Sequence, residues 1–276
     1  PAATAAAASL APAEKRGRAI AVVAIGFTAA SAFGAPLGTA IAASAGWRTP
    51  LIALAVLAAL LAAAVALFVR GVPIGAVLSV RRRFAVLADP RILLTLAATL
   101  LLVCGFNVVY IYSSAVTQAA TGGSGGLLAV LLLTFGLAGV LGTILSGRLT
   151  DRFGNRRVTG AVLGTQVVAL AALPLAAGNL VLTGILFAVW GASANGASMP
   201  LQHRLIEIEP ATAGVALSWY TTAMYAGIAL APPLGALALA SGGGSAVPVA
   251  GALSVALALL AFQIGRAARS RGVALA

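Results

Sequence analysis

The chain has 276 residues, of which 61% are hydrophobic and only 8% are charged, and its mean hydropathy is +1.08. A soluble domain is about 45–50% apolar and about 25% charged, so this composition excludes a soluble globular protein. The single cysteine and the single histidine exclude a disulfide framework and a zinc site built from several such ligands. We therefore expect an all-α, polytopic membrane protein.

Eight stretches are long and apolar enough to cross a bilayer, which requires about 20 residues. Residues 1–10 are interpreted as the end of a further helix, so the sequence predicts eight complete transmembrane helices plus the end of a ninth. In chain order the predicted spans are Ala19–Ala45, Pro50–Val69, Ile92–Thr117, Gly126–Ser146, Val158–Ala176, Leu180–Gln202, Gly214–Ala240 and Ala246–Gly265.

The formal net charge of +12 reflects the orientation of the spans. All 17 basic residues except Arg48 fall on alternate loops, and the positive-inside rule assigns those loops to the cytoplasm. The predicted linker and C-terminus are therefore cytoplasmic, and nucleic acid is not an expected partner because the charges are spread over five separate loops. The basic residues of these loops are Lys15, Arg16, Arg18, Arg70, Arg81, Arg82, Arg83, Arg91, Arg148, Arg152, Arg156, Arg157, Arg204, Arg266, Arg269 and Arg271.

An internal repeat relates the first predicted helix to the seventh. The segment from Gly34 to Ser44 resembles the segment from Ala231 to Ser241 at an offset of 197 positions. Residues 11–13 match 209–211 at an offset of 198 positions, and position 1 matches position 200 at an offset of 199. A six-helix repeat preserves orientation and is typical of two-bundle transporters, so we expect a fold of twelve helices, with upstream helices outside this chain. The predicted division is residues 1–70 for the remainder of the first bundle, 71–91 for a central linker and 92–276 for the second bundle.

The loop after the fourth predicted helix carries a characteristic pattern. Residues 147–157 read GRLTDRFGNRR, which resembles the G-x-L-x-D-R-x-G-x-[RK]-[RK] signature of the major facilitator superfamily. Gly147 permits a close helix approach, Gly154 suits a turn with positive φ, and Asp151 can accept hydrogen bonds from Arg groups or a helix N-terminus. The conformational residues of this loop are Gly147, Asp151, Arg152, Gly154, Arg156 and Arg157.

A second motif indicates a branch of this family. Gly34, Pro36 and Gly38 resemble the glycine-proline motif of antiporters, although a proline kink beside a small-residue packing face is a sufficient alternative. Together with Gly46-Trp47-Arg48 and the stretch 81–90, this motif resembles the drug and sugar efflux branch. The resemblance implies alternating access, a small-molecule substrate, protons as coupling ion, an inner (plasma) membrane location and a monomer, without a cofactor.

The predicted spans hold no acidic or basic residue well inside them, so the candidates for solute contact are neutral and aromatic. They form stripes at helical spacing on the third, sixth and seventh helices. Each residue is at least as well explained by an interhelical hydrogen bond, and the aromatic ones also by a place in the membrane interface. A cavity lined by amides, hydroxyls and aromatic rings suits a neutral or amphipathic organic solute. The candidate substrate-binding residues are Asn107, Tyr110, Ser114, Trp190, Asn195, Ser198, Thr222 and Tyr225.

Other function classes are less well supported. Residues 122–126 match the G-x-S-x-G pattern of hydrolases, but the sole histidine, His203, lies at the opposite membrane face, so we expect neither an enzyme nor catalytic residues. A channel would show polar or charged rings along its pore. A non-transporting scaffold stays open, as does contact between membrane lipids and residues 81–83. The sequence does not distinguish among a sugar, a nucleoside and a drug as substrate.

Overall fold

A computed structural model describes residues 6, 12, 16–68 and 84–267 of the chain. Within these residues the elements are all helical, which confirms the all-α prediction. Residues 1–5, the triple-arginine stretch 81–83, most of the predicted linker, and the basic positions 15, 70, 269 and 271 lie outside the described residues. The long helices are α1 (Arg16–Ala45), α2 (Arg48–Phe68), α3 (Pro90–Ile111), α4 (Ser113–Thr121), α5 (Gly125–Phe153), α6 (Asn155–Ala172), α7 (Leu180–Gly196), α8 (Ser198–Ile208) and α9 (Ala213–Ala267).

Six helical stretches of the described chain are long and apolar enough to cross a membrane, which supports the membrane class. The last of them, α9, runs for 55 residues but departs from helical geometry at Gly242 and Gly243, where the sequence predicts the junction between two spans. The six stretches are Arg48–Leu67, Pro90–Ile111, Gly125–Phe153, Asn155–Ala176, Leu180–Ile208 and Ala213–Ala267.

The described residues divide into two compact units. One contains residues 16–68 together with Gly125–Leu133, and the other contains residues 84–124 and 134–267. In the first unit, the large side chains of α2 are exposed, including Leu54 at 62% and Leu60 at 64%. An apolar helix with such a surface is stable in lipid, where exposed leucine carries no hydrophobic penalty.

In the second unit, small residues let helices approach each other closely. Gly105 of α3 faces Gly251 of α9, and a Cβ added at Gly105 would lie 2.6 Å from the Gly251 carbonyl oxygen. Nearby, the Ser254 hydroxyl donates to the Leu101 carbonyl at 2.7 Å. Glycine contacts and interhelical hydrogen bonds of this kind drive association between helices in lipid, where the hydrophobic effect between them is absent.

Local sequence explains where α3 begins. The side chain of Asp89 accepts a hydrogen bond from the backbone N–H of Arg91 at 2.8 Å, and Pro90 occupies the first helical position. An acidic N-cap followed by proline is a favoured helix start, because the cap satisfies a free N–H and proline has none to satisfy. Asp89 also forms an ion pair with the Arg91 guanidinium at 2.7 Å.

Candidate functional site

Five aromatic rings of the second unit form one cluster that joins α3, α5 and α7. The rings of Phe135 and Trp190 are 4.5 Å apart between centroids, and the Tyr110 ring lies 5.5 Å from that of Phe135. Phe106 stacks on Phe135 at 5.7 Å, and Phe187 meets Trp190 edge-on at 5.2 Å. The cluster brings together two candidate residues, Tyr110 and Trp190, that are 80 positions apart in sequence.

The two candidate asparagines each use one donor within their own helix. Asn107 Nδ2 donates to the Val103 carbonyl at 2.8 Å, and Asn195 Nδ2 donates to the Gly191 carbonyl at 3.1 Å. A second N–H and the amide oxygen remain on each side chain as hydrogen-bonding capacity. Asn195 is half-buried against Gly139, whose missing side chain makes room for the amide.

The other candidates lie outside the aromatic cluster. Ser114 follows a break in the helix at Tyr112 and is exposed, so it does not continue the face of Asn107 and Tyr110 that an unbroken helix would give. On α9, Thr222 is exposed and its hydroxyl donates to the Ser218 carbonyl at 3.2 Å. Tyr225 is 59% exposed, whereas Trp190 is fully buried.

Ser198 lies at the start of α8 and faces a neighbouring helix. The hydroxyl of Tyr220, on α9, interacts with the side chains of Ser198 and Gln202. Ser198 is therefore engaged in a contact between helices, which is the alternative that its polarity alone leaves open.

The motif loop, residues 147–157, is helical except at Gly154: residues 147–153 end α5 and residues 155–157 begin α6, so the loop that the sequence predicts is reduced to a single turn. Gly154 has φ of 79° and separates α5 from α6. The charged motif residues Asp151, Arg152, Arg156 and Arg157 are exposed. Asp151 forms neither an ion pair nor a side-chain hydrogen bond with the described residues.

The expected close approach at Gly147 is absent from the described structure, since an added Cβ would meet nothing within 4 Å. The tight contacts occur earlier along α5. Gly142 faces the backbone of Ala192, and Gly191 faces the carbonyl of Phe135. The close approach of α5 and α7 therefore depends on Gly142, which precedes the motif in α5, and on Gly191 of α7.

The glycine-proline motif lies inside α1. Pro36 is buried in the first unit, but a Cβ added at Gly34 or Gly38 would meet nothing within 4 Å among the described residues. These two glycines therefore do not form a tight packing contact in this part of the chain.

Two hydrogen bonds that the sequence analysis missed join the ends of the motif loop to α7 and α8. The Ser146 hydroxyl donates to the Gly196 carbonyl at 2.6 Å, and Asn155 Nδ2 donates to the Pro200 carbonyl at 2.6 Å. Pro200 has no N–H, so the Gly196 carbonyl loses its normal donor four residues later in the helix. Proline inside an apolar stretch is the signal that predicts such a free carbonyl, but its partner is set by tertiary packing.

Arg204 corrects a predicted boundary. The sequence ends the sixth span at Gln202 and assigns Arg204 to a loop, but the structure places it within α8. Its guanidinium donates to the Thr95 hydroxyl at 3.0 Å and to the Gly265 carbonyl at 2.8 Å, and lies 5.1 Å from the Phe262 ring centroid. The apolar stem and these acceptors let the charge lie half-buried at a helix end.

Comparison with known proteins identifies the family of this chain. The family model described as Major Facilitator Superfamily matches residues 1–232 and 115–273. The chain belongs to this superfamily of transporters. An enzyme is therefore excluded by family, as the sequence predicts.

Individual relatives agree with this family. The chain is 32% identical over 255 residues to the inner membrane transport protein YdhP of Escherichia coli O157:H7 and of strain K12. It is 29% identical over 256 residues to the uncharacterized MFS-type transporter YbcL of Bacillus subtilis strain 168. Each match covers 92% of this chain, which spans 65% of the length of these relatives.

The motif loop lies in the part of the chain that the family model matches. Its residues 147–157 resemble the family signature, and the structure shows the Gly154 turn and two hydrogen bonds from Ser146 and Asn155 to α7 and α8. The described residues contain no group of three or more His, Cys, Asp or Glu side chains placed to hold a metal ion.

Proposed function

We propose that the protein is a secondary transporter that carries a small neutral or amphipathic organic solute by alternating access. The observation that carries the proposal is the polar amide of Asn195, which lies on a membrane-spanning helix one turn beyond the aromatic cluster of Tyr110, Phe135 and Trp190. Amide and aromatic groups within an apolar helix unit can bind a solute through hydrogen bonds and ring stacking.

For the whole protein we propose twelve helices in two bundles, of which this chain supplies eight spans and the end of another. The span of 65% of the relatives' length and the internal repeat support this arrangement. The proposed divisions stay at residues 1–70, 71–91 and 92–276. The alternation of basic loops supports a cytoplasmic linker and C-terminus, and the YdhP relatives are named as inner membrane proteins, which supports the same membrane here.

We also propose efflux driven by exchange with protons, as in the antiporters that the Gly34, Pro36 and Gly38 motif resembles. The predicted spans carry no acidic residue well inside them, so the proton-binding carboxylate would lie in another part of the protein or near a loop. The proposed solute contacts are Asn107, Tyr110, Ser114, Trp190, Asn195, Ser198, Thr222 and Tyr225, acting in a monomer surrounded by lipid.

Transport by the complete protein in proteoliposomes tests this proposal. Radiolabelled chloramphenicol, arabinose and inosine represent the drug, sugar and nucleoside classes, and an imposed pH gradient supplies the driving force. We expect saturable, gradient-dependent flux of one of them. Flux of none, from protein that is folded and correctly inserted, would instead favour a membrane scaffold.

A variant of Asn195 tests the site itself. Replacing Asn195 by Ala removes the amide and should raise the half-saturation concentration about 5–10-fold, as expected when one solute hydrogen bond is lost. The matched control is Asn179→Ala, which removes an exposed helix cap whose side chain accepts only from the Leu182 N–H. Equal half-saturation concentrations for the two variants would show that Asn195 does not contribute to solute binding.

A further inference from the structure

Two backbone carbonyls where α7 meets α8, those of Gly196 and Pro200, accept hydrogen bonds from side chains of other helices. Pro200 is buried, and its ring has no N–H to offer the Gly196 carbonyl. The Ser146 hydroxyl, which is itself buried at the end of the α5 membrane segment, donates to that carbonyl at 2.6 Å. A side chain of a different helix thus replaces the backbone donor that proline removes.

Asn155 makes a second connection one turn farther along. Its Nδ2 donates to the Pro200 carbonyl at 2.6 Å, while its Oδ1 accepts from the Thr159 hydroxyl at 2.9 Å. The Pro200 carbonyl can only accept, so it fixes the Nδ2 end of the amide toward α8, while the Thr159 hydroxyl lies within hydrogen-bond distance of both Asn155 Oδ1 and the Asn155 backbone carbonyl. Asn155, which lies at the start of α6, is therefore connected to α8 by its side chain.

The two hydrogen bonds enclose the motif loop. Ser146 lies immediately before Gly147, and Asn155 lies between Gly154 and Arg156. Their acceptors, the carbonyls of Gly196 and Pro200, lie on either side of Ser198 in sequence, and Gly196 directly follows Asn195. A change in the conformation of the loop therefore acts directly on the segment that carries these two candidate residues.

We propose that Ser146 and Asn155 are positioning residues that couple the motif loop to the proline-bent segment of α7 and α8, and so set the position of Asn195 and Ser198. This inference rests on the proposed transport function. It assigns the two residues no contact with solute. Ser146 supplies a donor to the Gly196 carbonyl, which lacks the N–H that proline removes at position 200, and Asn155 adds a side-chain donor to the Pro200 carbonyl within α8.

The test uses the complete protein in lipid nanodiscs and compares four variants. Ser146→Ala removes the hydroxyl donor, and Asn155→Asp removes the Nδ2 donor but keeps an oxygen for Thr159. Thr143→Ala and Thr159→Ala are matched controls, because the Thr143 hydroxyl donates to the Gly139 carbonyl of its own helix and the Thr159 hydroxyl donates only to Asn155. The readout is amide hydrogen exchange in peptides covering residues 198–208.

We expect exchange in these peptides to be about fivefold faster in S146A and N155D, as for the loss of one hydrogen bond, and unchanged in T143A and T159A. In proteoliposomes, the half-saturation concentration for the transported probe should rise by a similar factor in S146A and N155D while maximal flux per folded molecule is retained. A merely structural role would reduce the amount of active protein and leave the half-saturation concentration unchanged.

The two readouts separate this inference from the proposed function. Exchange that matches the controls overturns the coupling, whatever the transport result. Faster exchange with an unchanged half-saturation concentration overturns the positioning of Asn195 and Ser198. If the unaltered protein transports none of the probes, the proposed function fails, and with it the positioning role, while the exchange experiment still decides whether the two bonds hold α8.

Discussion

Gly46 and Gly243 have positive φ angles, 83° and 67°, at positions 197 residues apart in the chain. Adding 197 to 45, the last residue of α1, gives 242, the residue at which α9 leaves helical geometry. The same offset relates Pro36 to Pro233, each inside its helix. The glycine turn after α1 and the glycine turn inside α9 therefore lie at the offset that the short sequence matches predict.

Replacing Gly243 by Ala should destabilise the protein. Its backbone, at φ 67° and ψ −162°, lies in a region that is open almost only to glycine. We expect a cost of about 1–3 kcal/mol, seen as a lower midpoint of thermal unfolding in detergent. Gly164→Ala is the control, because Gly164 lies in α6 with nothing within 4 Å of an added Cβ. Equal midpoints for G243A and G164A would contradict the prediction.

Gly191→Ala should destabilise the contact between α5 and α7. An added Cβ would strike the carbonyl group of Phe135, which belongs to the backbone of a packed helix and has little room to move. Overpacking of this kind costs about 1–3 kcal/mol. Gly147→Ala supplies the comparison, since that position is open in the described structure. The midpoint of thermal unfolding should be clearly lower for G191A than for G147A. A lower midpoint for G147A would show that the close approach lies at the motif glycine instead.

Gln166→Met should stabilise the protein. Gln166 is fully buried in α6, and neither its Oε1 nor its Nε2 has a hydrogen-bond partner in the described structure. Methionine has a similar shape and no amide to leave unsatisfied, so we expect a gain of about 1 kcal/mol in the free energy of unfolding. Gln263→Met, at an exposed position of α9, serves as control. A loss of stability in Q166M alone would indicate that the amide is satisfied, for example by internal water.

The Asp89 cap should make stability depend on pH. Burial by itself raises the pKa of Asp89, but the hydrogen bonds and charge of Arg91 outweigh it, and the net shift is downward. A carboxyl with a lowered folded-state pKa contributes stability above its unfolded pKa of about 3.9 and loses it as the pH falls through the folded value.

We therefore expect Asp89→Asn to be less stable than the parent at neutral pH, with the difference shrinking below about pH 4. Thermal unfolding measured from neutral to acidic pH checks this, with Asp151→Asn, an exposed carboxylate without a partner in the described residues, as control. A difference in stability between Asp89→Asn and the parent that stays constant across this pH range would show that the cap does not depend on the ionised carboxylate.

The stripe predicted on the third span shows how far helical spacing can be used. Asn107 and Tyr110 both lie within α3, where the spacing describes them well. Ser114 lies beyond the break at Tyr112, whose hydroxyl donates to the Pro232 carbonyl at 3.0 Å. Periodicity assumes an unbroken helix, and this break coincides with a contact to a residue 120 positions away that no local pattern contains.

Composition and local pattern were sufficient for the membrane class, the all-helical fold, the turn at Gly154 and the family, because each depends on side-chain polarity or on a few adjacent residues. The partner of the Gly196 carbonyl, the place of Arg204 between Thr95 and Gly265, and the close approach at Gly191 depended on tertiary packing. In a chain that is 61% hydrophobic, many helix faces are chemically alike. Small differences in helix register then determine which backbone carbonyl accepts from which donor, and these contacts determine the position of the candidate site.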